Sequence, residues 1–181
     1  GSIRLDDYEA FGDQTTYNLG AVYRLDMLNT RLRASYGTSF KAPSLSERFS
    51  SSAFVAANPD LQPEEGETFE IGFDSALDLA GREDALRFGA VWYDSAIEDL
   101  IEYVYDGALF IGQNRNVGEA DLQGYEAFAE WTPIDQASVR VDYTHTDATN
   151  ASTGAPLLRR PEDSWAVTGT WRPIEIASLS A

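Results

Sequence analysis

Neighbouring carboxylates are the side chains of this chain best suited to acid–base chemistry. They occur in three places: Glu64-Glu65-Gly66-Glu67, Glu98-Asp99 and Glu162-Asp163. Paired carboxylates can act as general acid and general base when both reach the reacting atoms. Each group, however, lies where an alternating segment meets a polar loop, and solvated loop charges account for all three. The sequence therefore predicts no catalytic residues.

Metal and nucleophile chemistry have little more support. The chain has no cysteine and a single histidine, His145, so a transition-metal site would lack partner ligands. Asp142, Asp147 and Asn150 could hold calcium in a loop, but they do not follow the spacing of a twelve-residue calcium loop. No Gly-x-Ser-x-Gly motif is present. We predict no metal site and no cofactor.

Composition excludes two further classes. Thirteen basic against 30 acidic residues give a formal net charge of −17, which would repel nucleic-acid phosphates, so we expect no nucleic-acid partner. Hydrophobic residues make up 43% of the chain, which is enough for a folded protein. A membrane helix needs about 20 consecutive apolar residues, and the sequence contains no such run.

The dominant pattern is an alternation of apolar and polar residues with a period of two. Such alternation places successive side chains on opposite faces of a sheet. It predicts seven full strands, the end of a strand near residues 2–7 and a strand that begins near Ile176. The alternating segments are residues 16–26, 32–37, 69–79, 86–93, 124–131, 139–144 and 165–172.

The connections between these segments alternate in length. Residues 26–30, 80–84, 133–137 and 173–177 form tight connections. Residues 38–65, 97–119 and 146–162 form long ones, and the passage from Ser44 to Phe49 could hold one helical turn. Short turns on one side and long loops on the other are typical of outer-membrane barrels. Trp131 and Trp171 each precede a tight turn, where an aromatic girdle is expected.

Four motifs carry a resemblance to a known family. They are SYGTSFKAPSLSERF (35–49), NPDLQPEEGETFEIGF (58–73), NRNVGEADLQGYEAFAEW (114–131) and YTHTDATNASTGAPLLRRPEDSWAVTGTW (143–171), which includes Arg159-Arg160. Together, and in this order, they resemble the C-terminal half of the barrel in TonB-dependent outer-membrane receptors. The nearest likeness is to receptors for vitamin B12 and ferric siderophores.

The resemblance implies an all-β fold, an antiparallel transmembrane β-barrel wall. About eight strands would belong to a larger barrel of about 22 strands. Residues 1–181 would form one barrel portion, since the plug domain, the TonB-binding box and the closing strand of the family are not recognisable in them.

The resemblance also implies the function. The intact protein would be a receptor in the bacterial outer membrane that binds cobalamin or a ferric siderophore, and it would not be an enzyme. Its partners would be outer-membrane lipid, the small-molecule ligand, and TonB through an N-terminal region missing from these residues. This chain would supply barrel wall and extracellular loops.

Ligand contacts are expected in two of the long loops. Aromatic and cationic side chains suit large, partly anionic ligands, because they offer flat area and charge-assisted hydrogen bonds. The aromatic residues could equally serve the outer aromatic belt. The predicted ligand-binding residues are Lys41, Arg48 and Phe49 in the first loop and Tyr103, Tyr105, Phe110 and Arg115 in the second.

Two other folds are compatible with the alternation. A self-contained barrel of eight strands with a structural or adhesive role would suit the length of the chain. A soluble, acidic, secreted β-sandwich that binds carbohydrate would need its apolar stripes to pack on one another. We prefer the receptor because the four motifs occur in the expected order.

Overall fold

The computed structural model describes residues 1–151, 153–157, 161–174 and 177–180. Within them most residues belong to strands, and the main feature is one antiparallel sheet of nine strands. Arg159-Arg160 of the fourth motif and Ile176 lie outside the described residues. The strands of the main sheet are β1 (Ser2–Tyr8), β2 (Gly12–Leu25), β3 (Thr30–Lys41), β5 (Glu64–Leu79), β6 (Arg82–Glu98), β9 (Ala120–Ile134), β10 (Ala137–Asn150), β11 (Asp163–Ile174) and β12 (Ala177–Ser180).

Neighbours in the sheet follow the order of the chain, β1-β2-β3-β5-β6-β9-β10-β11-β12. The seven predicted full strands are confirmed as β2, β3, β5, β6, β9, β10 and β11, and each is longer than the 9–11 residues or so that cross a membrane in a barrel. In the described part of the chain, β1 pairs only with β2 and β12 only with β11. The nine strands therefore form an open wall, which does not favour a self-contained eight-stranded barrel.

Short turns join the strands at one end of the wall, which we call the short-turn end. A 3₁₀ turn at Asp26–Leu28 joins β2 to β3, and Ala80-Gly81 joins β5 to β6. At the other end, the long-loop end, β3–β5, β6–β9 and β10–β11 are joined by long segments, as predicted. The connection between β1 and β2 at that end is an exception, because only residues 9–11 form it.

The long loops contain their own structure. The helical turn expected after Ser44 is present as α1 (Leu45–Phe49). Strands β4 (Val55–Ala56), β7 (Ile101–Asp106) and β8 (Ile111–Asn116) form a separate three-stranded sheet. None of these three strands is among the seven alternating segments of the sequence, and β4 is only two residues long.

One face of the wall, here called the outer face, is mainly apolar from β1 to β11. The register places Ile71 opposite Trp92, Trp92 opposite Tyr125, and Tyr143 opposite Trp165. Tyr125 and Trp131 mark an upper and a lower aromatic row; they are six residues apart, about 20 Å along a strand. This band approaches the apolar height of roughly 25 Å in outer-membrane barrels.

Few apolar side chains of the described residues are buried. Nothing in the described part of the chain forms a second layer on the outer face of the wall, where Trp165 is 69% exposed and Val167 64%. A β-sandwich would bury these stripes against each other, so the structure does not support that alternative. The buried hydrophobic residues are Leu61, Ala85, Leu100, Ala120 and Ala148.

No helix among the described residues is long and apolar enough to span a membrane.

The opposite face, here called the inner face, carries glycines that are covered by aromatic rings. A Cβ placed on Gly124 would lie 2.5 Å from the hydroxyl of Tyr93, and one on Gly89 would lie 2.8 Å from the ring of Phe128. Glycine on this face could leave room for a bound molecule or mark a bend. At these two positions the space is taken by a ring from the neighbouring strand, as in aromatic cover of strand glycines elsewhere.

Candidate functional site

The two long loops after β3 and β6 combine into one structure above the wall. We call residues 42–63 and 99–119 together the loop unit. Its sheet joins both loops, because β4 from the first pairs in parallel with β8 from the second, and β8 pairs antiparallel with β7. The backbone N–H of Gly112 also donates to the carbonyl of Phe54 at 2.8 Å. Strand β8 therefore joins the hairpin to the first loop.

Side-chain amides hold the loop unit together. Asn58 Nδ2 donates to the carbonyl of Asn114 at 2.8 Å, and Asn114 Nδ2 donates to the carbonyl of Glu47 at 3.2 Å. Asn116 exchanges two hydrogen bonds with the backbone of Gln62, each at 3.0 Å. These partners are 54 to 67 residues apart in the chain. Two of the family motifs, NPDLQPE and NRNVG, are thus partners in one contact.

A carboxylate fixes the base of the loop unit to the wall. Glu64 Oε1, in the first residue of β5, accepts from Lys41 Nζ and from the backbone N–H of Ile101, both at 3.0 Å. The Glu64 side chain is 12% exposed and that of Lys41 57%. Close by in the loops, Leu61 and Leu100 are buried. Glu64 is therefore a structural residue, consistent with a non-catalytic reading of the acidic pairs.

Helix α1 is fixed by a capping box. Ser44 Oγ and the Ser44 backbone N–H both donate to Glu47 Oε2 at 2.7 Å, and the Glu47 backbone N–H donates to Ser44 Oγ at 3.2 Å. The hydrogen bonds from the Ser44 side chain and backbone, aided by the charge of Lys41, hold the pKa of the Glu47 carboxyl below its usual range.

The predicted ligand-binding residues of the first loop are largely engaged within the protein. Lys41 pairs with Glu64, as above. Arg48 donates twice to the carbonyl of Pro59, at 3.1 and 2.8 Å, and its guanidinium lies 5.1 Å from the Phe11 ring centroid and 4.9 Å from that of Phe49. Phe49 is 52% exposed. Arg48 thus ties α1 to the turn between β1 and β2.

The predicted residues of the second loop lie on the hairpin, where they are exposed. Tyr103 and Tyr105 share one face of β7, and Phe110 lies at the tip in a left-handed backbone conformation with φ of 54°. Arg115 is on the opposite face, because it pairs with Glu102. The structure therefore places Tyr103 and Tyr105 together on one face of the hairpin and Arg115 on the other. Tyr105 and Arg115 nevertheless border one cleft, which none of the predicted first-loop residues lines.

Charges on the inner face are only partly paired. Arg140 binds Asp142 at 2.6 Å and lies 3.9 Å from Glu130, and Arg31 binds Asp74 at 2.7 Å. Arg24, Arg33, Arg87 and Arg172 are further cations on strands of the wall. None of these four takes part in a salt bridge within the described part of the chain.

The remaining polar candidates do not assemble into a site. His145 Nδ1 lies 3.1 Å from Asp163 Oδ1 at the upper edge of the outer face. Asp142 lies five residues below Asp147 on β10, about 17 Å along the strand. Among the described residues, no group of three or more His, Cys, Asp or Glu could hold a metal ion.

Comparison with known proteins agrees with the wall and its loops. The profile of the TonB dependent receptor-like, beta-barrel family matches residues 1–179. The chain belongs to the TonB-dependent receptor family. This family consists of receptors and not of enzymes, in agreement with the lack of catalytic residues in the sequence.

Individual relatives cover most of this chain. The vitamin B12 transporter BtuB of Vibrio cholerae serotype O1 is 32% identical over 162 residues, which are 89% of this chain and 24% of that protein. BtuB of Photobacterium profundum is 30% identical over 173 residues, 93% of this chain and 27% of that protein. The chain thus spans about a quarter of the length of these relatives.

Solved receptor structures share the fold. The siderophore receptor PirA from Pseudomonas aeruginosa superposes with a TM-score of 0.74 at 20% identity, covering 98% of this chain and 32% of that one. A mutant of the ferric enterobactin receptor PfeA from the same organism gives 0.75 at 19% identity, covering 98% and 28%. The predicted all-β receptor-barrel architecture is confirmed.

Proposed function

We propose that this TonB-dependent receptor chain is part of an outer-membrane transporter for a scarce small molecule, cobalamin or a ferric siderophore. Residues 1–181 supply one portion of the barrel wall and the loop unit above it. The rest of the receptor supplies the plug and the contact with TonB, which energises uptake. The observation that carries the proposal is the loop unit. Its hairpin exposes aromatic side chains at the long-loop end of a wall typical of the TonB-dependent receptor family.

The wall supports the membrane part of the proposal. Its outer face exposes a continuous apolar band between two aromatic rows, with Trp165 in the upper row and Trp171 in the lower row. Such a band fits lipid, because exposing apolar side chains to water is unfavourable and the outer face of a membrane barrel is apolar. The long-loop end then lies outside the cell, and the short-turn end faces the periplasm.

The hairpin supports the ligand-binding part. Tyr105 is 56% exposed and Phe110 65%. The hairpin that carries them is anchored through β8, which pairs with β7 on one side and with β4 on the other. Rigid aromatic side chains provide contact area at low conformational cost. The relatives of this chain include vitamin B12 transporters and siderophore receptors, so both a corrinoid and an iron complex belong in the test.

The test uses the complete receptor that contains this chain, produced in a Gram-negative host without its own cobalamin and enterobactin receptors. We expect binding and TonB-dependent uptake of labelled cyanocobalamin or of ferric enterobactin. Tyr105→Ala and Phe110→Ala should weaken binding, whereas Met27→Ala, at the short-turn end and 99% exposed, should not. Binding of neither ligand by the unmodified receptor would contradict the proposal.

A further inference from the structure

Gln113 connects the first loop to Arg115. Its Nε2 donates to the carbonyl of Ala57 at 3.0 Å, and its Oε1 accepts from Arg115 Nε at 2.9 Å. The amide is therefore fixed at both ends, to the backbone of one loop and to a cation of the other. Because Arg115 is two residues further along the same strand, both side chains lie on the same face of β8.

That face borders a cleft of about 540 Å³. The volume lies within the range of about 300–1,000 Å³ that is usual for small-molecule sites. Register places Val104 opposite Gln113 and Ile111 opposite Asp106, so apolar and polar groups alternate across the floor. Tyr105 and Leu109 also contribute to the walls. The cleft is thus mainly apolar, with the guanidinium at one end.

The two charged side chains of the cleft, Asp106 and Arg115, differ in how far their polar atoms are already hydrogen-bonded. Asp106 Oδ1 already accepts from the backbone N–H groups of Ala108 and Leu109, at 2.9 and 3.2 Å. Arg115 uses only Nε, and within the described residues none of the salt bridges includes it. Its two terminal nitrogens therefore remain available as charged donors beside an apolar surface.

We propose that this cleft is a ligand subsite in which Arg115 binds an anionic oxygen of the ligand through its terminal nitrogens. The ligand presents that oxygen beside a flat apolar body, which packs on Val104 and Ile111. Gln113 is a positioning residue, because it fixes the direction of the guanidinium and links it to the first loop. The proposal rests on the proposed function and adds which chemical group of the ligand the receptor recognises.

Two ligands can supply the anionic oxygen: the phosphodiester of cyanocobalamin and the catecholates of ferric enterobactin. The experiment measures equilibrium binding of each to the complete receptor and to Arg115→Gln, Gln113→Met and the double variant. Arg115→Gln should raise Kd about 10-fold to 100-fold for the ligand that the receptor takes, since hydrogen bonds to charged groups contribute about 1.5–3 kcal/mol. The ligand that is affected identifies the source of the oxygen.

The double variant tests the positioning role. If Gln113 acts through Arg115, Gln113→Met raises Kd in the unmodified receptor but has no further effect in the Arg115→Gln background. Independent, additive effects would overturn that role, and an unchanged Kd in Arg115→Gln would overturn the subsite. A receptor that binds neither ligand before any substitution would overturn the proposed function and the subsite together. Amounts of heat-modifiable protein in the outer membrane confirm that each variant folds.

Discussion

Asn58 Nδ2 donates to the backbone carbonyl of Asn114 across 2.8 Å, although 56 residues separate the two in the chain. The bond joins the first long loop to the hairpin of the second. It belongs to a set of contacts, each of which joins a side-chain amide of one loop to the backbone of the other. Every residue has a backbone carbonyl, so these contacts depend on where the two loops lie and less on which residue supplies the acceptor. The two loops are therefore expected to keep one arrangement when a ligand arrives.

Removing the Asn58 amide should loosen the loop unit without unfolding the wall. In Asn58→Ala the partly buried carbonyl of Asn114 loses its donor, which costs about 1–3 kcal/mol locally. We expect faster hydrogen exchange of the backbone amides in residues 55–62 and 111–116 and unchanged exchange in β9 and β10. Ser51→Ala, an exposed loop serine with no side-chain hydrogen bond among the described contacts, is the control. Equal exchange in both variants would contradict the role of Asn58.

Glycine on the inner face makes a second prediction, about overpacking. A Cβ on Gly124 would collide with the backbone oxygen of His145 and lie 2.5 Å from the hydroxyl of Tyr93. That hydroxyl is held by Thr146 Oγ1 at 2.7 Å, so the ring cannot move freely. Gly124→Ala should lower the free energy of unfolding by about 1–3 kcal/mol, measured by urea titration of the complete receptor in lipid vesicles.

Gly169→Ala is the matched control for that substitution. Gly169 also lies within a strand, but a Cβ there would meet nothing within 4 Å. Its substitution should change the free energy of unfolding by less than about 0.5 kcal/mol. If Gly124→Ala changed the free energy of unfolding as little as Gly169→Ala does, the ring of Tyr93 would be able to move away from the added methyl group. Gly124 would then not be required for the packing of that ring.

The wall could be predicted from the sequence because its signal is local. Alternation in β2 or β11 is a property of a dozen consecutive residues, and one face of each strand has to be apolar along its whole length. The tight turns could be predicted for the same reason. The short connection at residues 9–11 was not anticipated, since it breaks the regular alternation of short and long connections.

The candidate site could be predicted only in part, because it depends on contacts between distant segments. Loop composition indicated Tyr105 and Arg115, yet not that the hairpin places them on opposite faces. Arg48 looked like a free cation in the sequence, and only the structure shows that it binds the Pro59 carbonyl. Gln113 gave no signal at all, since a single glutamine in a polar loop has no pattern to distinguish it.

Lipid exposure of the outer face can be tested by placing the same charged residue on each of the two faces of β11 in turn. Val167 is exposed on the outer face between Trp165 and Trp171, and the next residue, Thr168, points to the inner face. Val167→Arg should cost about 2–4 kcal/mol in vesicles, as a cation near the middle of the bilayer does. Thr168→Arg, in a polar lumen, should cost far less. Equal costs would indicate that Val167 faces water.

Acid should loosen helix α1 in a way that depends on Ser44. The folded state lowers the pKa of Glu47, so the unfolded helix binds its proton at higher pH than the folded one. The stabilisation is complete above the unfolded pKa and is lost as the pH falls through the lowered folded pKa. We expect the amides of Glu47 and Arg48 to lose protection between about pH 5 and about pH 3, after correction for intrinsic exchange rates. In Ser44→Ala the side-chain cap and the largest cause of the lowered Glu47 pKa are lost, whereas the backbone N–H of residue 44 and the charge of Lys41 remain. Protection should therefore be lower at neutral pH and should depend less steeply on pH. A steep acid transition that persists in Ser44→Ala would show that another group is responsible.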